Sequence, residues 1–215
     1  MRGNAGSPFP LVILIALQVS SVPAAGQANC PACPIPSLQP TASRPFGSAD
    51  PSHGCTTQTK RGFPVPDPKC TPGAINPSVT VQILKDPSFR TACLRDCVTT
   101  ESDKFVTYGQ YGIPHPKNNQ GANQVCELDH LVPLELGGAD TLDNIWPQCG
   151  PNQVTLAKRY FKQKDMVESY LANQVKTGQM DLGKAQAAIA ADWTQFAGAA
   201  ANFCSQNPKK CGGGH

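Results

Sequence analysis

Apolar residues recur with a helical period over the C-terminal part of the chain. The first predicted helix begins near Asn152, which stands at an N-cap position, and its inward face includes the charged Lys164 and Glu168. A second helix is predicted from about Asp181 to just before Asn207, where a following proline ends it. The inward face of the first helix consists of Val154, Ala157, Phe161, Lys164, Val167, Glu168 and Leu171.

A short apolar strand precedes the first of these helices. It carries Asp129 and His130 in adjacent positions, and Gly137 and Gly138 mark a turn before the chain returns. Successive side chains of a regular strand point to opposite faces of the sheet. Asp129 and His130 can therefore share one pocket only if the strand twists, bulges or ends at this point.

The N-terminal part of the chain has no such periodicity. Residues 1–28 contain a weakly positive start, an apolar run and small residues suited to cleavage, which predict a secretory signal peptide. An N-terminal membrane anchor is the alternative. Residues 29–69 are rich in proline, which precludes long helices, and are predicted to be irregular. The folded domain is predicted at residues 70–206, with a loose tail at residues 207–215.

All ten cysteines follow the predicted signal peptide. An even number of cysteines in an exported chain favours disulfides, so we expect a disulfide-stapled domain in a secreted or periplasmic protein. Cys126 and Cys149 bracket the Asp-His segment and could close it as a loop. A structural zinc site is the alternative, because Cys30 and Cys33 have the Cys-x-x-Cys spacing of metal ligands.

The Asp-His segment carries the groups that phosphodiester hydrolysis requires. His130 can deprotonate water near neutral pH, because the pKa of imidazole suits this task. Asp129 offers an oxygen to a hard divalent cation, which would neutralise the charge that develops on the phosphate. Asn144 can fix the histidine or its loop by hydrogen bonding, and an imidazole held in one orientation is the more effective base.

These residues resemble the signature of HNH (His-Me finger) nucleases, Asp-His-x-x-Pro-Leu-x-x-Gly-Gly followed by Asn-Ile-x-Pro. The resemblance implies an α+β fold with a small ββα-metal core, at about residues 126–171, embedded in a mostly helical domain. It also implies His130 as the general base, Asn144 as the middle asparagine and Asp129 as a metal ligand. Asn152 is the best match for the third position of the signature, a second metal ligand, although an asparagine before a helix is commonly only a cap.

The resemblance further implies one divalent metal ion as cofactor, Mg2+ or Mn2+, with Zn2+ or Ni2+ admitted if an imidazole lies near the ion. The expected partner is a nucleic acid substrate, DNA in the first place and RNA as an additional substrate, with no membrane association after signal cleavage. Lys158, Arg159 and Lys162 open the predicted helix and could hold phosphates beside the metal. A solvated helix face is the alternative, and the net charge of +3 does not itself predict nucleic-acid binding.

Two further alternatives stay open at the level of sequence. Glu168 could reach the site from the helix, or it could pair with Lys164 four residues earlier. The function predicted from the sequence is a secreted, metal-dependent HNH-like endonuclease. The alternative functions are a non-catalytic secreted binding or structural module that keeps the ββα frame, and a toxin-like effector with the same chemistry.

Overall fold

The computed structural model describes Met1 and residues 33–96 and 104–211. The predicted signal peptide after Met1, Cys30 and Cys97 lie outside the described residues. The helices of the described residues are α1 (Val81–Lys85), α2 (Val106–Gln110), α3 (Tyr160–Lys176), α4 (Leu182–Asp192) and α5 (Ala197–Gln206). The strands are β1 (Arg44–Pro45), β2 (Gln58–Lys60), β3 (Phe63–Val65), β4 (Ala74–Ile75), β5 (Cys126–His130) and β6 (Ile145–Cys149).

The strands form short antiparallel pairs, β1 with β4, β2 with β3 and β5 with β6. The last pair is a hairpin in continuous register from Cys126 opposite Cys149 to His130 opposite Ile145. Helix α3 packs against this hairpin and completes a ββα unit. The predicted fold class, a helix-rich α+β domain with a small ββα core and disulfides, is therefore confirmed.

Helix α3 begins at Tyr160, later than the sequence pattern predicts. Arg159 takes the N-cap position, and a short 3-10 turn at Leu156–Lys158 precedes it, so Asn152 does not cap this helix. The inward stripe of α3 holds Phe161, Val167, Leu171 and Val175, all buried. This stripe also buries the charged Lys164 and Glu168, whose charges need partners on the neighbouring strand.

The C-terminal helical segment starts and ends where the sequence predicts. The Asp181 side chain accepts a hydrogen bond from the backbone N–H of Lys184 at 2.9 Å and so caps α4. Helix α5 ends at Gln206, directly before Asn207. The predicted single helix is divided by a 3-10 turn at Trp193–Phe196, where the buried Trp193 indole donates to the carbonyl oxygen of Pro64.

The proline-rich segment packs into the same hydrophobic core as the rest of the domain. Ile35, Leu38 and Val65 from this segment are buried in one cluster with Val132 and Trp193. Its strands are only two or three residues long. Short strands are expected here, because proline lacks the N–H that a sheet ladder uses.

Disulfides join Cys33 to Cys93, Cys55 to Cys70, Cys126 to Cys149 and Cys204 to Cys211. The suggested pairing of Cys126 with Cys149 is confirmed, and Cys33 is not available as the zinc thiolate of the alternative. Several disulfides fit an extracellular or secreted protein. Among the residues described, no helix has the length and apolar character needed to cross a membrane.

Candidate active site

The β5–β6 hairpin presents different chemistry on its two faces. Because the register is continuous, side chains alternate along β5. Cys126, Leu128 and His130, with part of Glu127, line a cleft with a volume of about 990 Å3. The carboxylate of Asp129 instead contacts Lys164 of α3, on the face covered by that helix. Asp129 and His130 therefore leave the strand on different faces, yet both border a second, small pocket of about 40 Å3 together with Arg95, Glu127 and Glu168.

The imidazole of His130 is fixed by Asp140. Its Nε2 lies 2.7 Å from Asp140 Oδ1. Only 11% of the His130 side chain is exposed, and none of the Asp140 side chain is. Burial lowers the pKa of His130, although the hydrogen bond and charge of Asp140 oppose this shift. The imidazole is therefore neutral at neutral pH, as a general base must be.

Asp140 lies in a cationic environment that keeps it ionised. Lys104 Nζ is 2.8 Å from each of its carboxylate oxygens, and the backbone N–H of Asp96 donates to Oδ2 at 2.8 Å. Burial opposes ionisation, but the hydrogen bonds and charges of His130 and Lys104 dominate and hold the pKa of Asp140 well below its usual value. An ionised Asp140 accepts a hydrogen bond from Nε2–H, which leaves Nδ1 of His130 with the lone pair of a base.

Asn144 fixes the loop that carries Asp140, rather than the imidazole itself. Its side chain is fully buried. Oδ1 accepts from the backbone N–H groups of Ala74 and Val132 at 3.2 and 2.9 Å. Nδ2 donates to the carbonyl oxygens of Val132 and Ala139 at 2.9 and 2.8 Å. Asn144 thus ties both ends of the turn between β5 and β6, and is a positioning residue.

Gly138 lets this loop close. A Cβ atom built at Gly138 would lie 1.9 Å from the carbonyl oxygen of Val132, which is far inside van der Waals contact. Gly137, one residue earlier, has a φ of 72° and ends the short 3-10 turn at Leu134–Leu136. Gly138 is therefore required by the close approach of the Val132 backbone, and Gly137 by its left-handed conformation. Asp140 follows two residues after Gly138.

Asp129 belongs to a buried ionic network with α3. Lys164 Nζ donates to Asp129 Oδ1 at 3.1 Å, to Glu168 Oε1 at 2.6 Å and to the backbone oxygen of His130 at 2.6 Å. Burial raises the pKa of Asp129 to about 7, and the charge of Glu168 adds to this rise while Lys164 opposes it. Burial disfavours the charge on Lys164, but the two carboxylates outweigh it and raise its pKa.

The network does not fit a divalent ion held by Asp129. The Lys164 ammonium already occupies the space between the two carboxylates, and its three N–H groups are all used. Asp129 Oδ2 lies 3.0 Å from the same ammonium, although it receives no hydrogen bond from the described residues. A divalent cation bound at that oxygen would be directly beside a buried positive charge.

A different group is close enough for metal ligation, namely His53, Asp67 and Cys70, whose potential ligand atoms lie within 4.8 Å of one another. The sulfur of Cys70 is bonded to Cys55 in a disulfide and is therefore not a thiolate ligand. Two protein ligands remain, of which Asp67 already accepts hydrogen bonds from the backbone N–H groups of Thr56 and Lys69.

The structure places Asn152 and Lys158 away from this cleft. Both are exposed, and they border a shallow pocket to which neither Asp129 nor His130 contributes. Asn152 is therefore not brought together with the other residues of the predicted metal site. Lys158 is accessible to a phosphate, but it lies beside Asn152 rather than beside His130.

The other two predicted phosphate-binding residues are engaged within the protein. Arg159 is buried and donates to the carbonyl oxygen of Pro151. Lys162 is half-buried and its Nζ lies 2.7 Å from Asp165 Oδ2, one turn later on α3. Burial lowers the pKa of Lys162, but its pairing with Asp165 outweighs this, and the pKa is raised overall. In this arrangement neither side chain extends freely towards a substrate.

Sequence reasoning missed Asp140, Lys104 and Arg95, which contribute to the cleft side of the site. Arg95 and Lys104 line the same cleft as His130. Asp140 follows the Gly-Gly pair after a single alanine, ten residues beyond His130. This position next to the predicted turn is the sequence feature that could have identified Asp140 as a partner of His130. The lysine lies 36 residues before Asp140, a separation that no local pattern connects.

Comparison with known proteins assigns no family to this chain. No protein-family model matches it, and neither a curated protein nor a solved structure matches it.

Proposed function

We propose that this protein is an HNH-like endonuclease that hydrolyses phosphodiester bonds of DNA, with RNA as a second substrate, and that His130 is its general base. One observation carries the proposal. The His130 imidazole borders a large cleft, is neutral, and is oriented by an ionised carboxylate, Asp140, that is itself held by Lys104.

In the proposed reaction His130 Nδ1 takes a proton from a water molecule in the cleft. The water oxygen attacks phosphorus, the bond from phosphorus to one sugar oxygen breaks, and that oxygen takes a proton from solvent. The ionised Asp140 stabilises the imidazolium that forms. Arg95 lines the cleft and supplies positive charge for the phosphate, while the buried Lys104 holds Asp140.

The metal ion that the sequence resemblance implies is not part of this scheme. Asp129 is committed to Lys164, so no step is assigned to an ion at that carboxylate. Dependence on Mg2+ or Mn2+ is instead a variable of the experiment. Export through the predicted signal peptide is also part of the proposal, and the disulfides support an oxidising compartment.

The test is plasmid nicking by the purified mature protein in Mg2+, in Mn2+ and in excess chelator. Removal of a general base typically costs about 10²- to 10⁴-fold in rate, and we expect a loss of this size for His130→Ala. His53→Ala is the matched control, because this imidazole is partly exposed and does not line the His130 cleft.

Equal nicking by the wild type and His130→Ala would refute the assigned base. Failure of the folded wild type to cleave DNA or RNA under every ion condition would favour the alternative, a secreted binding module that keeps the ββα frame. Cleavage that persists in excess chelator would support a site in which the Lys164 ammonium, and not a metal ion, is bound to Asp129. Strictly Mg2+-dependent cleavage would contradict a scheme without a metal ion and would make Asp129 a candidate ligand again.

A further inference from the structure

An aromatic cluster stands in the His130 cleft and has no role in the proposed chemistry. The rings of Phe105 and His115 have centroids 4.3 Å apart and are tilted by 39°. Tyr108 packs edge-on against His115, with centroids 4.9 Å apart. All three side chains line the cleft. Phe105 is 37% exposed although it is a large apolar residue, so the cluster presents ring surface to solvent.

Amide side chains line the same cleft as this ring surface. Asn118, Gln120 and Asn123 are exposed and line the same cleft, with donors and acceptors that could meet the edges of a base. Asn119 has a different task, because its amide bonds the backbone of Val125 and Cys126 and so holds the cleft wall. The cleft therefore presents both exposed amides and an exposed aromatic ring.

We infer that Phe105 and His115 form a nucleobase subsite, and that the cleft binds single-stranded nucleic acid with one base stacked on this pair. The inference deepens the proposed function and rests on it for the role of the cleft. A base has both the π-face that stacks on aromatic rings and the polar edge that amides bind. Arg95 in the same cleft supplies positive charge for an adjoining phosphate.

Single-stranded substrate follows from the geometry of stacking. In a duplex each base is stacked between its neighbours and paired along its edge, so its faces are not available to Phe105. A single strand offers these faces without the cost of unstacking a duplex. A lipid surface fits less well, because polar side chains make up most of the cleft lining.

The test is a binding titration by fluorescence anisotropy in the His130→Ala background, which keeps the probe intact. The probes are a labelled oligothymidylate, the matching oligouridylate, a duplex of the same length, and an abasic oligonucleotide with phosphates and sugars only. Stacking on an aromatic residue is worth about 5- to 150-fold in affinity per base, so Phe105→Ala should weaken oligothymidylate binding to this extent. Binding of the abasic probe should not change, and Phe105→Trp should preserve oligothymidylate binding.

Phe46→Ala is the matched control, because Phe46 is 46% exposed and does not line the cleft. It should bind all probes as the parent does. The inference is overturned if Phe105→Ala binds oligothymidylate normally, if it loses the abasic probe equally, or if the duplex binds more tightly than the single strand. The ratio of oligouridylate to oligothymidylate affinity identifies RNA or DNA as the source of the base.

These results separate the subsite from the proposed function. Loss of nicking in His130→Ala together with unchanged binding in Phe105→Ala would contradict the proposed subsite and support the proposed hydrolase activity. Base-dependent binding by a wild type that cleaves neither DNA nor RNA would support the subsite and contradict the hydrolase activity.

Discussion

Asp129 and His130 are adjacent in the chain, yet Asp129 contacts α3 while His130 lines the cleft on the other face of β5. The Lys164 ammonium connects the two faces, because it binds the Asp129 carboxylate and the backbone oxygen of His130. The carboxylate is therefore connected to the histidine through Lys164, and both residues also border a small pocket of about 40 Å3. This relationship makes Lys164 a candidate for controlling both stability and the position of the base.

Lys164→Met should destabilise the protein strongly. The substitution leaves Asp129 and Glu168 buried without their common cation, and breaking a buried ion pair costs about 3–5 kcal/mol. Urea denaturation measures this change. Lys162→Met is the control on the same helix, because its partly exposed pair with Asp165 should contribute at most about 1 kcal/mol.

The same variant tests our assessment of the metal site. If Mg2+ restores the stability of Lys164→Met while K+ at equal ionic strength does not, a divalent ion can replace the ammonium and Asp129 is a metal ligand. If neither ion restores it, Asp129 is matched to the lysine alone.

Asp129→Asn should change how stability depends on pH. Burial raises the pKa of Asp129 from 3.8 in the unfolded chain to about 7 in the fold. Protonation of Asp129 therefore stabilises the folded state at low pH, and this contribution is lost as the pH rises through about 7. The free energy of unfolding of the wild type, minus that of the variant, should fall between pH 4 and pH 7 and then stay constant. A difference that rises with pH over this window would show that Asp129 is ionised throughout.

The alternation rule for strands predicted the different faces of Asp129 and His130, and the small pocket that both border lies where β5 ends at His130. Four-residue spacing likewise predicted the contact between Lys164 and Glu168, which the structure contains. Both features are local, so sequence patterns describe them well. The bond between Lys104 and Asp140 depends on how a distant segment packs onto the hairpin, and periodicity carries no information about that packing.

Asp140→Asn should lower turnover and shift its pH profile. Burial lowers the pKa of His130, so the acid limb of kcat/KM should have its midpoint below 6.5 in the wild type. The carboxylate of Asp140 raises that pKa, and its removal should move the midpoint to lower pH. Loss of orientation should reduce kcat on the order of 100-fold. The measurement is the pH–rate profile of nicking.

Two further variants distinguish an electrostatic effect of Asp140 on His130 from a general loss of structure. Lys104 lowers the pKa of His130, so Lys104→Met should move the acid limb to higher pH, opposite to Asp140→Asn. Asp143→Asn is the matched control, because this carboxylate accepts from Thr141 at 2.5 Å rather than from His130. Shifts in the same direction for Lys104→Met and Asp140→Asn would contradict the electrostatic account.

Gly138→Ala should destabilise the loop that carries Asp140. The added methyl group would lie 1.9 Å from the carbonyl oxygen of Val132, so the backbone must move, at a cost of about 1–3 kcal/mol. Gly198→Ala is the control, because no atom lies within 4 Å of its Cβ and it is inside helix α5. That change should stabilise the protein by about 0.5–1 kcal/mol. Urea denaturation compares them, and equal effects would show that the loop relaxes freely.

Removal of the Cys126–Cys149 disulfide should cost stability and activity together. It closes a loop with a sequence separation of 23 residues that contains Asp129, His130 and Asp140, so the double alanine variant should lose about 2–5 kcal/mol. The double alanine variant of Cys204 and Cys211 is the control, because a separation of 7 residues constrains the unfolded chain less. The free energy of unfolding and the nicking rate are measured for both. If the two variants lose equal stability and only the control loses activity, the hairpin is not the element that positions His130.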